Sequence, residues 1–252
     1  MLSSFVALGD SFTEGMADPR HDGTYRGWAD RVAERLALEH DGFAYANLAI
    51  RGRLLGPIVD EQVPVAAAMG AELVSLAGGT NDMLRTGFDA DRLGAQLRSA
   101  VATLTAAGSR VLLFRGGDPR GRGAWGKRLV PKVVALNNHV LALATEFDCV
   151  VVDLWSCRIW DDERLWAEDR LHLNAEGHRR VALAALEAVG LDIDEDWRRP
   201  LPVASPTPWR AQRVADAQWA RRHLAPWVMR RVRGQSSGDQ VEPKRPVLTP
   251  LG

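Results

Sequence analysis

Five short runs, each apolar on nearly every residue, recur through the first 190 residues with helical patterns between them. They are "SSFVAL" (3–8), "FAYANLAI" (43–50), "ELVSLAG" (72–78), "RVLLFR" (110–115) and "CVVVDLW" (149–155). A strand with one face in water alternates apolar and polar residues, whereas a strand covered on both faces does not. The intervening segments have the longer helical period. In "YRGWADRVAERLALEH", Trp28, Val32, Leu36 and, on an adjoining row, Leu38 fall roughly along one face. "DADRLGAQLRSAVATLTAAG" ends at Gly108, placed as a C-terminal stop. "KRLVPKVVALNNHVLALATEF" carries Pro131 in its first turn or at a kink, and "NAEGHRRVALAALEAVG" completes the set. Strands alternating with helices predict an α/β fold: a five-stranded parallel sheet in a three-layer α/β/α sandwich with right-handed crossovers.

In such a sheet, ligands gather beyond the carboxyl ends of the strands. Ser11 follows the first run, Gly52 the second, Asn81 the third, and Asp169 and His172 the fifth. Residues far apart in sequence are thereby expected on one rim. "GDS" (9–11) alone reads equally well as a turn or a helix cap. With partners on the same rim, Ser11 becomes a candidate nucleophile, which needs an adjacent base near neutral pH. His172 is the candidate base, and Asp169, three residues earlier, the carboxylate that orients it. His178 is the rival base, for which a packing role is preferred. The backbone N–H groups of Ser11 and Gly52 and the side-chain amide of Asn81 are candidate donors to an oxyanion. The motif is not the G-x-S-x-G elbow, which disfavours the standard α/β-hydrolase fold.

The ordered set "GDS", Gly52 in "AIRGRLL", "GGTND" (78–82) and "DRLHLNAEGH" (169–178) resembles the SGNH hydrolases, also called GDSL esterases and lipases. The likeness spans residues 5 to about 190, with Phe12 where the family name has leucine. It implies a flavodoxin-like sheet, a Ser-His-Asp triad, no metal or other cofactor, and hydrolysis of esters or thioesters. It also implies that Asp10 and Asp82 mainly support loops. The reaction expected is cleavage of small acyl or O-acetyl esters and short-chain lipids. Thioesterase, lysophospholipase and acyltransferase chemistry are the alternatives within the family. A non-catalytic binding module using the basic C-terminal segment is the contrasting class.

The "RGGDPRGRGAWGKR" stretch (115–128) reads as a loop. Solvation explains its charges most simply; the sharper reading is a lid for acidic or phosphorylated substrates, with Arg120 and Arg122 as contacts and Trp125 as an apolar wall.

Acidic and basic residues number 32 each, which excludes an overall bias toward nucleic acid or anionic membrane. From Trp197 onward, however, 11 basic residues face 3 acidic ones. Residues 1–192 are therefore read as the catalytic domain. Residues 193–252 form a Pro-, Trp- and Arg-rich extension, with a helix over about 209–233 and an extended tail, packed on that domain. Contact between its "WARRHLAPWVMRRVRG" and a membrane surface is the less favoured alternative, and no nucleic-acid partner is expected. Cys149 and Cys157 match no zinc pattern and read as free thiols in a reducing compartment. No run approaches the roughly 18 or more apolar residues of a membrane span, and the expected location is cytoplasmic. Oligomeric state is not legible at this level.

Overall fold

Along strand β1 (Ser4–Gly9), Phe5 and Ala7 face one way and Val6 and Leu8 the other, and all four are fully buried. That two-sided burial is why the run is continuously apolar. The computed structural model describes residues 2–203, 208–226, 229 and 236–251. After β1 come the one-turn helix α1 (Ser11–Glu14), α2 (Gly27–Ala37) and β2 (Ala44–Asn47). Helix α3 (Leu55–Pro57) leads through a wider turn over Ile58–Gln62 into α4 (Val63–Met69), followed by β3 (Leu73–Ala77), α5 (Thr80–Met83) and α6 (Ala90–Ala106). Then β4 (Arg110–Arg115), α7 (Gly123–Phe147), β5 (Val150–Asp153) and α8 (Ala175–Ala188) complete the layers. Helix α9 (Trp209–Trp219) and strand β6 (Arg245–Pro250) belong to the C-terminal extension.

The sheet has the order β5-β4-β3-β1-β2-β6. Strands β1 to β5 pair in parallel, and β6 joins the free edge of β2 antiparallel. The sheet is therefore six-stranded and mixed, not five-stranded and purely parallel. The expected extended tail supplies the sixth strand. Its prolines, Pro246 and Pro250, are tolerated because edge strands leave N–H groups unpaired on one side.

Helices α2 and α8 cover one face with Trp28, Val32, Leu36, Val181 and Ala185. Helices α4, α6 and α7 cover the other with Ala66, Leu97, Leu104, Leu136 and Val140. Leu38, expected near the first of these faces, caps the end of α2 and is 81% exposed. Asp89 and Asn174 cap α6 and α8 by accepting backbone N–H bonds. Helix α6 stops where Gly108 takes a positive φ of 88°.

Two boundaries differ from expectation. Helix α7 begins at Gly123, so Pro131 lies inside it and much of the expected 115–128 loop is helical. A short 3-10 turn, Pro119–Arg122, supplies the rest of the entry. In the extension, α9 passes into a wider turn at Ala220–Leu224; Trp227, Val228 and residues 230–233 of the expected helix lie outside the described residues. Cys149 and Cys157 are both free. Among the described residues no helix is long and apolar enough to cross a membrane.

Candidate active site

The chain crosses from β2 on one side of β1 to β3 on the other, so the strand order reverses between β1 and β3. That switch point opens a crevice at the carboxyl ends, which is where Ser11 and Asn81 emerge. Gln62 fixes the end of β1: its Oε1 accepts from Gly9 N at 2.8 Å and its Nε2 donates to Gly9 O at 3.0 Å. Asp10 caps α1 by accepting from Phe12 N at 3.0 Å, which sets Ser11 as the first residue of that helix.

Ser11 Oγ lies 3.0 Å from His172 Nε2, and His172 Nδ1 lies 2.6 Å from Asp169 Oδ2. The other carboxylate oxygen, Oδ1, accepts from the N–H groups of Leu171 at 2.9 Å and His172 at 3.0 Å. The Asp-x-x-His spacing thus folds back on itself, one oxygen shaping the turn and the other facing the ring. Burial alone would raise the Asp169 pKa, but the hydrogen bond from His172 and its charge dominate and hold it at about 2. With Nδ1–H donating to Asp169, Nε2 is left to accept from the Ser11 hydroxyl.

Asn81 Nδ2 donates to Asp10 Oδ2 and to Arg53 O, both at 3.0 Å. Both of its amide hydrogens therefore have protein acceptors, and a bond to a substrate oxygen must share or displace one. Asp82 Oδ2 accepts from Leu55 N at 3.0 Å. Burial pushes Asp10 up to about 6 and also raises Asp82. These bonds tie the loop after β2 to the tips of β1 and β3. Gly52, in that loop, has a φ of 75°, a left-handed conformation that suits glycine.

Glu14 escaped the sequence reading. Its buried carboxylate accepts from Arg51 N at 2.9 Å and from the Arg51 guanidinium, anchoring the residue beside Gly52. The only signal was an acid at the end of a one-turn helix.

His178, the rival base, sits on α8 with Nε2 donating to Met16 O at 3.0 Å. It is 1% exposed, and burial pushes its pKa down to about 4. An unfolded histidine titrates near ~6.5, so below that pH the unfolded chain binds a proton that the native His178 refuses. Stability contributed by this residue falls as pH drops from that value toward about 4. The loss is up to about 3 kcal/mol. Asp10, raised by burial, acts in the opposite sense over part of this range. The expected result is that His178→Gln removes His178's share of the acid-side slope in urea titrations run from pH 7 to pH 4.5. An unchanged slope would rule out the assignment.

A cavity of about 290 Å³ opens beside Ser11 and His172. Its inner walls are Leu76, Leu97, Leu113, Val133, Leu136 and Val140. Arg122 and Trp125 also line it, whereas Arg120 is not among its lining residues. Arg120 instead bonds Asp118 through Nε at 3.1 Å and lies over the Trp155 ring. Arg122 stacks on Trp166 at 3.9 Å and donates to Arg170 O; burial lowers its pKa. Among the described residues no group of three or more His, Cys, Asp or Glu side chains is arranged to hold a metal ion.

Fold and site together define an α/β protein with an aligned serine, histidine and aspartate at the switch point of its sheet. The model of the GDSL-like lipase/acylhydrolase family matches residues 7–180, and the chain belongs to that family. Membership supports a hydrolase acting on esters. No curated protein matches the sequence. Solved structures share the fold at low identity. TesA is 20% identical with a TM-score of 0.62, covering 74% of this chain and 98% of its own. The psychrotrophic esterase EstA from Pseudoalteromonas sp. is 17% identical with a TM-score of 0.59, covering 74% and 96%. Axe2, an acetylxylan esterase from Geobacillus stearothermophilus, is 19% identical with a TM-score of 0.60, covering 78% and 96%.

Proposed function

We propose that the chain is a serine hydrolase that cleaves carboxylic esters through an acyl-enzyme. The observation that carries this reading is the Ser11–His172–Asp169 alignment, at 3.0 and 2.6 Å, opening into an apolar chamber. Ser11 Oγ attacks the ester carbonyl carbon while His172 Nε2 takes the hydroxyl proton. The tetrahedral intermediate carries its charge on the former carbonyl oxygen, stabilised by the N–H groups of Ser11 and Gly52 and by Asn81. The C–O bond to the alcohol then breaks, and His172 returns the proton to the leaving oxygen. A water molecule repeats the cycle in reverse, giving the carboxylic acid and free Ser11. Asp169 stays ionised and stabilises the imidazolium.

The chamber's aliphatic walls suit the acyl group, with Arg122 and Trp125 as contacts for the rest of the substrate. Each methylene buried there contributes about 0.8 kcal/mol, equivalent to up to roughly fourfold in kcat/KM. A panel of p-nitrophenyl esters from acetyl to decanoyl is expected to show kcat/KM rising with acyl length before steric exclusion sets in. A maximum at acetyl, falling from there, would overturn the placement of the acyl chain. Absence of hydrolysis across the panel, with no labelling of Ser11 by a fluorophosphonate, would overturn the catalytic reading itself.

A further inference from the structure

The family match ends at residue 180, yet the segment beyond it returns to the catalytic rim at separate points. From α9, Trp219 Nε1 donates to the backbone carbonyl of Asp169 at 2.9 Å. Asp216, on the same helix, pairs with Arg170 at 2.7 Å, and the Arg170 guanidinium lies 5.1 Å from the centroid of the Trp219 ring. Arg170 stands between Asp169 and His172 with a φ of 56°. A non-glycine residue in the left-handed region is strained and persists where its surroundings over-determine it. Here the extension grips the side chain of Arg170 and the carbonyl of Asp169 before it, while Arg122 holds the carbonyl of Arg170 itself.

The second return is at the loop after β2. A Cβ on Gly238 would meet Arg51 O at 2.0 Å, and one on Gly52 would meet Ser236 Oγ at 2.4 Å. The turn at 236–240 therefore lies directly against Arg51 and Gly52. Lys244 follows, donating to the carbonyls of Glu14, Tyr25 and Arg26 at 2.7, 2.8 and 3.0 Å and pairing with Asp30. Strand β6 then fastens the segment to β2.

We propose that the C-terminal extension is a strap that sets the reactive geometry, with Trp219 and Asp216 as positioning residues for the Asp169–His172 turn. The inference rests on the reading of Ser11, His172 and Asp169 as the catalytic set. It goes beyond that reading by making the alignment depend on residues outside the family match. Neither Trp219 nor Asp216 touches the reacting atoms; each acts through the Asp169 turn. The turn delivers a carboxylate to the Nδ1 edge of an imidazole, and a small rotation there spoils that bond before it disturbs the core.

The test uses the full chain with Trp219→Phe, which keeps an aromatic ring near Arg170 while removing the indole N–H, and separately Asp216→Asn. For Trp219→Phe, kcat per fluorophosphonate-titrated site is expected to fall about threefold to tenfold, with KM within twofold and little change in the thermal midpoint. A looser carboxylate stabilises the imidazolium less, so the acid limb of the kcat profile shifts to lower pH. The His172 Nδ1 proton, read by NMR without substrate, moves upfield from its strongly hydrogen-bonded position. Asp216→Asn shifts all three readouts in the same direction. Unchanged kcat per site, acid limb and proton resonance in both variants would overturn the strap. Wild-type protein that neither hydrolyses esters nor labels at Ser11 would instead defeat the catalytic reading, while the proton resonance still reports whether Trp219 holds the turn.

Discussion

Ser11→Ala lowers ester hydrolysis by about 10⁴-fold or more while the protein stays folded. The magnitude follows from what the hydroxyl does. In the proposed mechanism it supplies the attacking oxygen, and it lies 3.0 Å from His172 Nε2. Alanine removes both and leaves the N–H at residue 11 in place. The residual rate then comes from substrate binding and the oxyanion donors alone. Structural cost is small, because Asp10 and not Ser11 caps α1, and alanine is a good residue for the first turn of a helix. A stability change within about 1 kcal/mol is expected. Steady-state kinetics on the preferred ester, with a thermal melt on the same sample, check both halves. Undiminished hydrolysis in the alanine variant would remove Ser11 from the mechanism.

The second large effect belongs to Asp169→Asn, for which kcat falls by about 10⁴-fold. An asparagine keeps the shape and can still accept from the N–H groups of Leu171 and His172 through one oxygen. Its amide then faces Nδ1 with a donor, so the ring presents a lone pair at Nδ1 and a proton at Nε2. In that tautomer His172 cannot take the Ser11 proton. The same change carries a stability signature. Asp169 has its native pKa depressed to about 2 from a usual value near 3.8, so its contribution is present above the higher value and is lost as pH falls toward the lower one. The asparagine variant lacks that acid-limb loss. Kinetics at saturating ester, with urea titrations between pH 6 and pH 3, check the pair. Near wild-type turnover would show that the carboxylate does not orient the base.

Much of the fold could be read from the sequence because burial on both faces removes polar residues from a strand. The five runs at 3–8, 43–50, 72–78, 110–115 and 149–155 correspond to β1–β5, with ends that differ by up to a few residues. The sixth strand could not be read in this way. "RPVLTP" holds two prolines and no alternation, and it is extended because the free edge of β2 offers its backbone groups partners. The onset of α7 was hidden for a related reason. "GRGAWGKR" has the glycine content of a loop, and packing lets the helix run through it.

The site divides along the same line. Ser11, Asn81, Asp169 and His172 were legible because a parallel sheet sends the ends of its strands to one rim, so order along the chain carries spatial information. Gln62, Glu14 and Trp219 were not legible, since each works across a separation that no local pattern marks. Gln62 clamps Gly9 from 53 residues away, and Trp219 reaches Asp169 from 50. By itself the sequence determined the five parallel strands, the rim and the residues with chemistry to offer. Only the tertiary structure decided their alignment, the apolar chamber beside them and the engagement of the C-terminal segment with the Asp169–His172 turn. Hydrophobic periodicity is a local property written residue by residue, whereas a hydrogen bond of 2.6 Å depends on every element that holds its two ends.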